Sequence, residues 1–283
     1  MERCQVESFY KNSYFIGRML ETNKQGIITW KHYSRSYCIT KKEVYLGKII
    51  EVDILKEEKS GILRLSRINA IKERKKEKIK YYKDNLKSKG FKDLFVDEIY
   101  GRRIYRDLSK LIPYVNDLPV SSALVVGNDK NHIYLELEEL DILGVMPINY
   151  VNWHRIKDTQ SIKSYIGETL DVKLLGFGDV NLLDAGENFH NVKDGFICST
   201  ALNYLPDYNK LKNFEGKEVI ATVVGSNRTG SILRCEGISI DLYLKETKEI
   251  GKQVKCRLKN LDENKNIIEV ECLRERGIVL YGG

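Results

Sequence analysis

Apolar residues recur at every second position in three separate stretches of this chain, and the three stretches are near-copies of one another. The first is YLGKIIEVDIL from Tyr45, the second YIGETLDVKLL from Tyr165, and the third EIGKQVKCRLK from Glu249. In each, an apolar residue (Leu46, Ile166, Ile250) precedes a glycine (Gly47, Gly167, Gly251). Alternate side chains are then apolar: Ile50, Val52 and Ile54; Leu170, Val172 and Leu174; Val254, Cys256 and Leu258. A period of two with β-branched residues predicts a strand with one buried face. The glycine at its head predicts a turn or bulge where a side chain would obstruct the chain.

Outward from the first copy, CQVESFYKN from Cys4, SYFIGRML from Ser13 and QGIITWKHYS from Gln25 read as three preceding strands, and ILRLS from Ile62 as a fifth after the turn-like EEKSG. Five short strands in so few residues match a Greek-key barrel of the OB type. The second copy has LPVSSALVVGN and HIYLELEEL as its first strands, and Gly144-Val145-Met146-Pro147 where the third begins. Gly144 to Gly167 spans 23 positions, against 21 from Gly26 to Gly47. A long insertion, GFGDVNLLDAGENFHNVKDG from Gly176, then precedes GFICSTAL. The third copy is reduced: KEVIATVVG is a first strand, GSILRCEGISIDLYL must supply both middle strands, and IIEVECL from Ile267 closes the barrel.

Between the first two copies the period becomes helical. Ile71, Ile79, Tyr82 and Leu86 share one face, Lys72, Lys75, Lys76, Lys80, Lys83 and Lys87 cover the other, and Gly90 is placed to end the helix. Phe91, Leu94, Phe95 and Ile99 predict a further helical face, and RRIYRDLSKLI a short helix before Pro113. The expected fold is therefore mainly β, with three tandem five-stranded OB-type barrels and a basic α-helical connector after the first. The boundaries are residues 1–67, 68–112 for the connector, 113–210 with the insertion at 176–195, and 211–283.

The ordered motifs of the first barrel resemble the S-one-type OB domain, the RNA-binding unit repeated in the large S-one protein of the bacterial small ribosomal subunit. Gly26-Ile27-Ile28 matches that family's third-strand start, Gly47 its fourth-strand glycine, and Ile62-Leu63-Arg64-Leu65-Ser66 its closing strand. The resemblance implies RNA contacts from aromatic positions on the second strand and a histidine on the third. Carried over, the aromatic positions are Tyr14 and Gly17 in the first copy and Asn131 and Tyr134 in the second, while the histidine falls on Thr29 and Pro147. The third copy offers Thr229 and Ile232, so its stacking platform is lost and a structural or protein-contact role is expected there.

Charge sharpens the choice of partner. From Ile68 to Arg106 there are 13 Lys or Arg against 6 Asp or Glu, an excess equal to the net +7 of all 283 residues. A local basic block suits an anionic partner such as nucleic acid, or equally a solvated lysine-rich helix. OB barrels bind single strands by combining a basic groove with rings that stack on bases. The candidate nucleic-acid-binding residues are Tyr14, Phe15, Trp30, Lys31, His32, Tyr33 and Arg35 on the first barrel, Lys72, Lys75, Lys76, Lys80 and Lys83 on the helix, and Tyr134 on the second barrel. Large aromatics such as Phe15 and Trp30 are also the usual core of a small barrel.

Other classes fit less well. His32, His132, His154 and His190 show no metal-ligand spacing, and no phosphate-binding loop, nucleophile elbow or dinucleotide fingerprint occurs. Asp93, Asp97 and Glu98 read as a solvent face, so neither catalysis, a metal nor a cofactor is expected. The six cysteines include no CxxC pair and read as reduced core residues. With no apolar tract of about 18 residues and no secretory core near Met1, a cytoplasmic protein without membrane contact is expected. The expected function is non-enzymatic binding of single-stranded RNA in translation or RNA metabolism, with the ribosome or another protein as a further partner. The alternatives are single-stranded DNA binding, or a protein-interaction and assembly module built from degenerate barrels.

Overall fold

Each of the three alternating stretches becomes the fourth strand of a closed five-stranded barrel. A computed structural model describes residues 1–11, 13–34, 42–88, 96–99, 102–105, 108–129, 132–153, 165–183, 189–206, 211–262 and 267–273. The first barrel comprises β1 (Glu2–Tyr10), β2 (Tyr14–Met19), β3 (Gln25–Thr29), β4 (Ile49–Glu57) and β5 (Leu63–Ser66). Its order is β1-β2-β3-β5-β4, with β4 closing antiparallel on β1 and only β3–β5 parallel. After a hairpin of β6 (Val96–Ile99) and β7 (Arg102–Tyr105), the second barrel uses β8 (Val120–Asn128), β9 (His132–Leu137), β10 (Ile142–Pro147), β11 (Thr169–Leu183) and β12 (Phe189–Ser199). The third uses β13 (Glu218–Asn227), β14 (Gly230–Arg234), β15 (Leu242–Leu244), β16 (Gln253–Asp262) and β17 (Ile267–Cys272). All three share one cyclic strand order, so the predicted tandem of OB-type barrels is the architecture of the chain.

One backbone device recurs in every barrel and explains the repeated glycine. Gly47, Gly167 and Gly251 adopt φ of +78°, +94° and +90°. Their N–H groups donate to the carbonyls of Val6, Val125 and Val223 at 2.8, 2.9 and 2.8 Å. Each valine N–H donates in return to the residue after the glycine, Lys48, Glu168 or Lys252, at 2.9 Å. Directly after each valine the first strand shifts register against the second. The bulge sharpens the twist, which lets one strand pair with the second strand at one end and the fourth at the other. A β-carbon on Gly47 or Gly251 would meet nothing within 4 Å, so only the left-handed backbone demands glycine. Gly47→Ala and Gly251→Ala are each expected to cost about 1–2 kcal/mol, the left-handed penalty for an L-residue. Urea midpoints check this, and an unchanged midpoint would refute it.

The connector helix α2 runs over Arg67–Ser88, after the single turn α1 (Trp30–Tyr33). The Ser66 hydroxyl accepts the Asn69 N–H at 3.2 Å and so caps its start. Ile71, Tyr82 and Leu86 are buried as their spacing predicts, and Gly90 lies outside the described residues. Two helical expectations fail. Val96–Ile99 and Arg102–Tyr105 pair as a hairpin, and Leu108–Asp117 winds as a 3-10 helix containing Pro113. Short apolar runs carry too few turns for periodicity to separate helix from strand. In the second barrel the stretch from Gly176 lengthens β11 and β12, which pair as far as Leu183 and Phe189.

The chain divides into two compact units. One contains the first two barrels and α2; the other contains the third barrel, whose core of Leu233, Ile240, Leu242 and Cys256 is joined by Trp153 and Phe214 at its margin. No helix among the described residues is long and apolar enough to cross a membrane.

Candidate nucleic-acid interface

Alternation along β2 sends Phe15, Gly17 and Met19 into the first barrel and Tyr14, Ile16 and Arg18 outward. On β3, Gly26 and Ile28 point in while Ile27 and Thr29 point out. The bulge after Val6 then puts Tyr10 of β1 on the same outer face, directly opposite Tyr14. The two rings stack with centroids 5.4 Å apart and an interplanar angle of 21°. Tyr10 is 50% exposed, and the Lys11 ammonium lies 5.4 Å from its ring centre. Lys31 is exposed at the start of the chain leaving β3. Farther along this face Ile16 pairs with Ile27, and the positive charges are balanced locally, Arg18 by Glu7 and Arg64 by Glu58. Among the described residues, the end bearing Tyr10, Lys11 and Tyr14 has no such acidic partner.

Tyr10 was not among the sequence candidates, although a signal exists. The segment Phe9-Tyr10-Lys11-Asn12-Ser13-Tyr14-Phe15 reads almost the same in both directions about its turn, so a hairpin must set Phe9 against Phe15 and Tyr10 against Tyr14. The bulge obscures this, because it breaks the period-two pattern begun at Cys4 and Val6.

The remaining first-barrel candidates divide. Phe15 and Tyr33 are fully buried, with rings 4.3 Å apart, in an aromatic cluster completed by Tyr45 and the edge of Trp30. They are core residues and cannot stack on a base without opening the barrel. Trp30 is half-buried, stacked on Tyr33 at 5.8 Å, with the Lys42 ammonium 4.6 Å from its ring centre. His32 places Nδ1 3.3 Å from the Ser66 hydroxyl. Gly17 faces inward, where an added β-carbon would lie 2.4 Å from Cys4 Sγ, so no aromatic fits there. Arg35 lies outside the described residues.

The lysine helix is largely engaged with protein. The turn joining β9 to β10 carries Glu138, Glu139 and Asp141, all with positive φ (49°, 56° and 53°). Left-handed backbone at three non-glycine residues is costly, and contacts to the basic elements hold it. Lys75 donates to the Asp141 carbonyl and lies 3.4 Å from its carboxylate. Lys78 reaches Glu138 at 3.3 Å, Lys48 reaches Glu139 at 3.5 Å, and the Tyr82 hydroxyl donates to Glu138. At the centre Arg67 pairs with Glu136, both almost completely buried, and donates also to the Tyr33 and Glu139 carbonyls. Glu136 accepts two further bonds, from the Tyr45 hydroxyl and the Asp141 N–H.

Burial opposes charge on both members of this pair. The opposite charge prevails in each: the Glu136 carboxyl is held below the usual carboxylate range by Arg67 and the Tyr45 hydroxyl, and the Arg67 pKa is raised by Glu136. Burial pushes the Tyr33 and Tyr45 hydroxyls well up, so both stay neutral.

Of the helix candidates, Lys75 is therefore docked, and Lys83 lies 4.0 Å from the Phe177 ring centre. Lys72, Lys76 and Lys80 form an exposed row at helical spacing, interleaved with Glu73, Glu77 and Asp84. Lys76 pairs with Glu73 at 3.0 Å. The positive block seen in sequence is thus substantially neutralised in the fold.

Tyr134 points away from the interior of the second barrel but is only 5% exposed, and its hydroxyl donates to Asp129. All six residues of β9 are buried on both faces. The face of this barrel that corresponds to the Tyr14 face is closed, with Glu136 under Arg67 and Tyr45. On the third barrel Thr229 sits in an exposed turn and Ile232 is half-buried opposite Tyr243. Among the described residues, no three His, Cys, Asp or Glu side chains are grouped to hold a metal ion.

No protein-family model matches the chain. The search of curated proteins likewise finds no match. Two solved structures align with 96% of it: a multidomain protein with nucleic acid binding domains from Streptococcus pneumoniae TIGR4, at 7% identity over 72% of that chain, and Unr CSD456 from Drosophila, at 10% identity over 97%. The TM-score is 0.21 in both, too low to bear on this site.

Proposed function

We propose that the chain is a non-catalytic protein that binds single-stranded RNA on the outer face of its first barrel. The observation that carries this reading is the outward-facing stack of exposed Tyr10 on half-buried Tyr14, beside Lys11, at the strand face and first loop that OB barrels use for oligonucleotides. A base stacks on a tyrosine whatever its identity, and nearby ammonium groups neutralise phosphates, so binding is sequence-tolerant. Lys31 and, to a smaller extent, the exposed Lys72 and Lys80 add charge. The S-one-type motifs support RNA as ligand and translation or RNA metabolism as setting.

Fluorescence anisotropy with an oligouridine tests this. Tyr10→Ala and Tyr14→Ala are each expected to weaken binding about 5- to 150-fold, the range for one lost stacking contact, without shifting the melting temperature. The log–log salt slope should be about 0.7 per phosphate contacted. A slope near zero, or unchanged affinity in both variants, would overturn the proposal. Competition with oligothymidine separates RNA from single-stranded DNA.

A structural role within the chain is favoured for the corresponding face of the second barrel, because Arg67 and Tyr45 of this same chain already occupy it.

A further inference from the structure

The third barrel holds a pair of thiols whose placement goes beyond nucleic-acid binding. Cys256 of β16 and Cys272 of β17 lie directly opposite one another in an antiparallel ladder. The Leu273 N–H donates to the Lys255 carbonyl at 2.9 Å, which makes the neighbouring 255/273 pair the hydrogen-bonded one. Cys256 and Cys272 are thus a non-hydrogen-bonded pair, the class with α-carbons about 4.5 Å apart and side chains on one face of the sheet. That separation falls within the span a disulfide bridges. Both thiols are free. Cys256 is sealed in the core, whereas Cys272 is partly exposed; Lys248, paired with Glu246 at 2.8 Å, also interacts with Cys272.

We propose that Cys256 and Cys272 form a reversible cross-strand disulfide, making the third barrel a thiol-oxidation site that reacts with low-molecular-weight disulfides such as oxidised glutathione. The accessible Cys272 thiol gives up its proton and, as thiolate, attacks one sulfur of oxidised glutathione; the S–S bond breaks, a mixed disulfide forms, and the glutathione thiolate released takes up a proton. The Cys256 sulfur, giving up its proton, then attacks Cys272 Sγ and expels the second glutathione. Two protein thiols lose two electrons and two protons, and oxidised glutathione becomes two reduced molecules. Burial raises the Cys256 thiol to about 11, in keeping with Cys272 reacting first. Lys248, held by Glu246, supplies a positive group on the side from which the anionic glutathione disulfide approaches Cys272. The finished bond joins the neighbouring strands β16 and β17 and constrains the unfolded chain.

The test uses the full chain in oxidised and reduced glutathione mixtures, quenched by alkylation and mapped by mass spectrometry of peptides. The expected product is a Cys256–Cys272 crosslink, two hydrogens lighter, reversed by reduced glutathione, with Cys235 still alkylated. Cys272→Ser should abolish it, and Lys248→Met should slow its formation while leaving the linkage unchanged. The reading is overturned if native protein gives only a glutathione adduct on Cys272, a bond from Cys235 to Cys256, or no crosslink. Because these products are mapped directly on the native chain, the result stands even if Cys272→Ser fails to fold.

Discussion

Arg67→Ala is expected to destabilise the two-barrel unit by about 3–5 kcal/mol, the range for removing one partner of a buried ion pair. The loss arises less from the missing attraction than from what remains: Glu136, fully enclosed, keeps a charge that, among the described residues, the Tyr45 hydroxyl and the Asp141 N–H are left to solvate. Arg67 also stands at the first turn of α2, where the helix dipole disfavours a cation, so it is tolerated because Glu136 is there. Replacing both by methionine should recover most of the loss, since neither charge is then buried unpaired. Recovery stops short of complete, because the Tyr45 hydroxyl and Asp141 N–H lose their acceptor. Trp30 reports this unit and Trp153 the other, so Trp153→Phe isolates the signal during urea unfolding. A loss below about 1 kcal/mol, as for an exposed pair, would sink the account.

The same pair fixes an acid response. The folded Glu136 pKa lies below its unfolded value of about 4.3, so its contribution is complete above that value and disappears as pH falls through the folded one. Glu136→Gln should be less stable at neutral pH and flatter in this acid window.

Gly230→Ala should break the third barrel selectively, at about 3 kcal/mol, the upper end for overpacking. A β-carbon there would stand 2.4 Å from the Leu244 carbonyl oxygen and 2.8 Å from the Tyr243 hydroxyl. The tyrosine could swing aside, but the oxygen belongs to the backbone of β15, paired on both sides in a closed sheet. Relief requires β14 and β15 to separate. In the Trp30→Phe background the Trp153 signal should move to lower urea, while in the Trp153→Phe background the Trp30 signal stays in place. Equal movement of both would contradict two separately cooperative units.

Much of the fold was legible because its determinants are local. The leucine or isoleucine before each glycine, the alternation after it and the loop lengths lie within a few residues of one another, and they led to three barrels with five strands each. The helical face of Ile71, Tyr82 and Leu86 was legible for the same reason. The site was harder to read. Tyr14 was found, Tyr10 was hidden by the bulge after Val6, and Phe15 and Tyr33 were offered to a ligand although alternation and the aromatic cluster turn them inward. The helix lysines were read as phosphate contacts because their acidic partners, the glutamates and aspartate of the β9–β10 turn, stand far along the chain.

The sequence alone determined that this chain repeats one barrel three times, and that it concentrates its positive charge in one helix. Periodicity and backbone conformation are properties of neighbouring residues, so both could be read without a fold. Only the tertiary structure decided which surfaces remain open. Glu136 is 69 residues from Arg67 and 91 from Tyr45, yet it closes the second barrel's face and consumes the charge at the head of the helix. Burial depends on partners that sequence spacing does not reveal, and on the first barrel it leaves Tyr10 exposed over half-buried Tyr14.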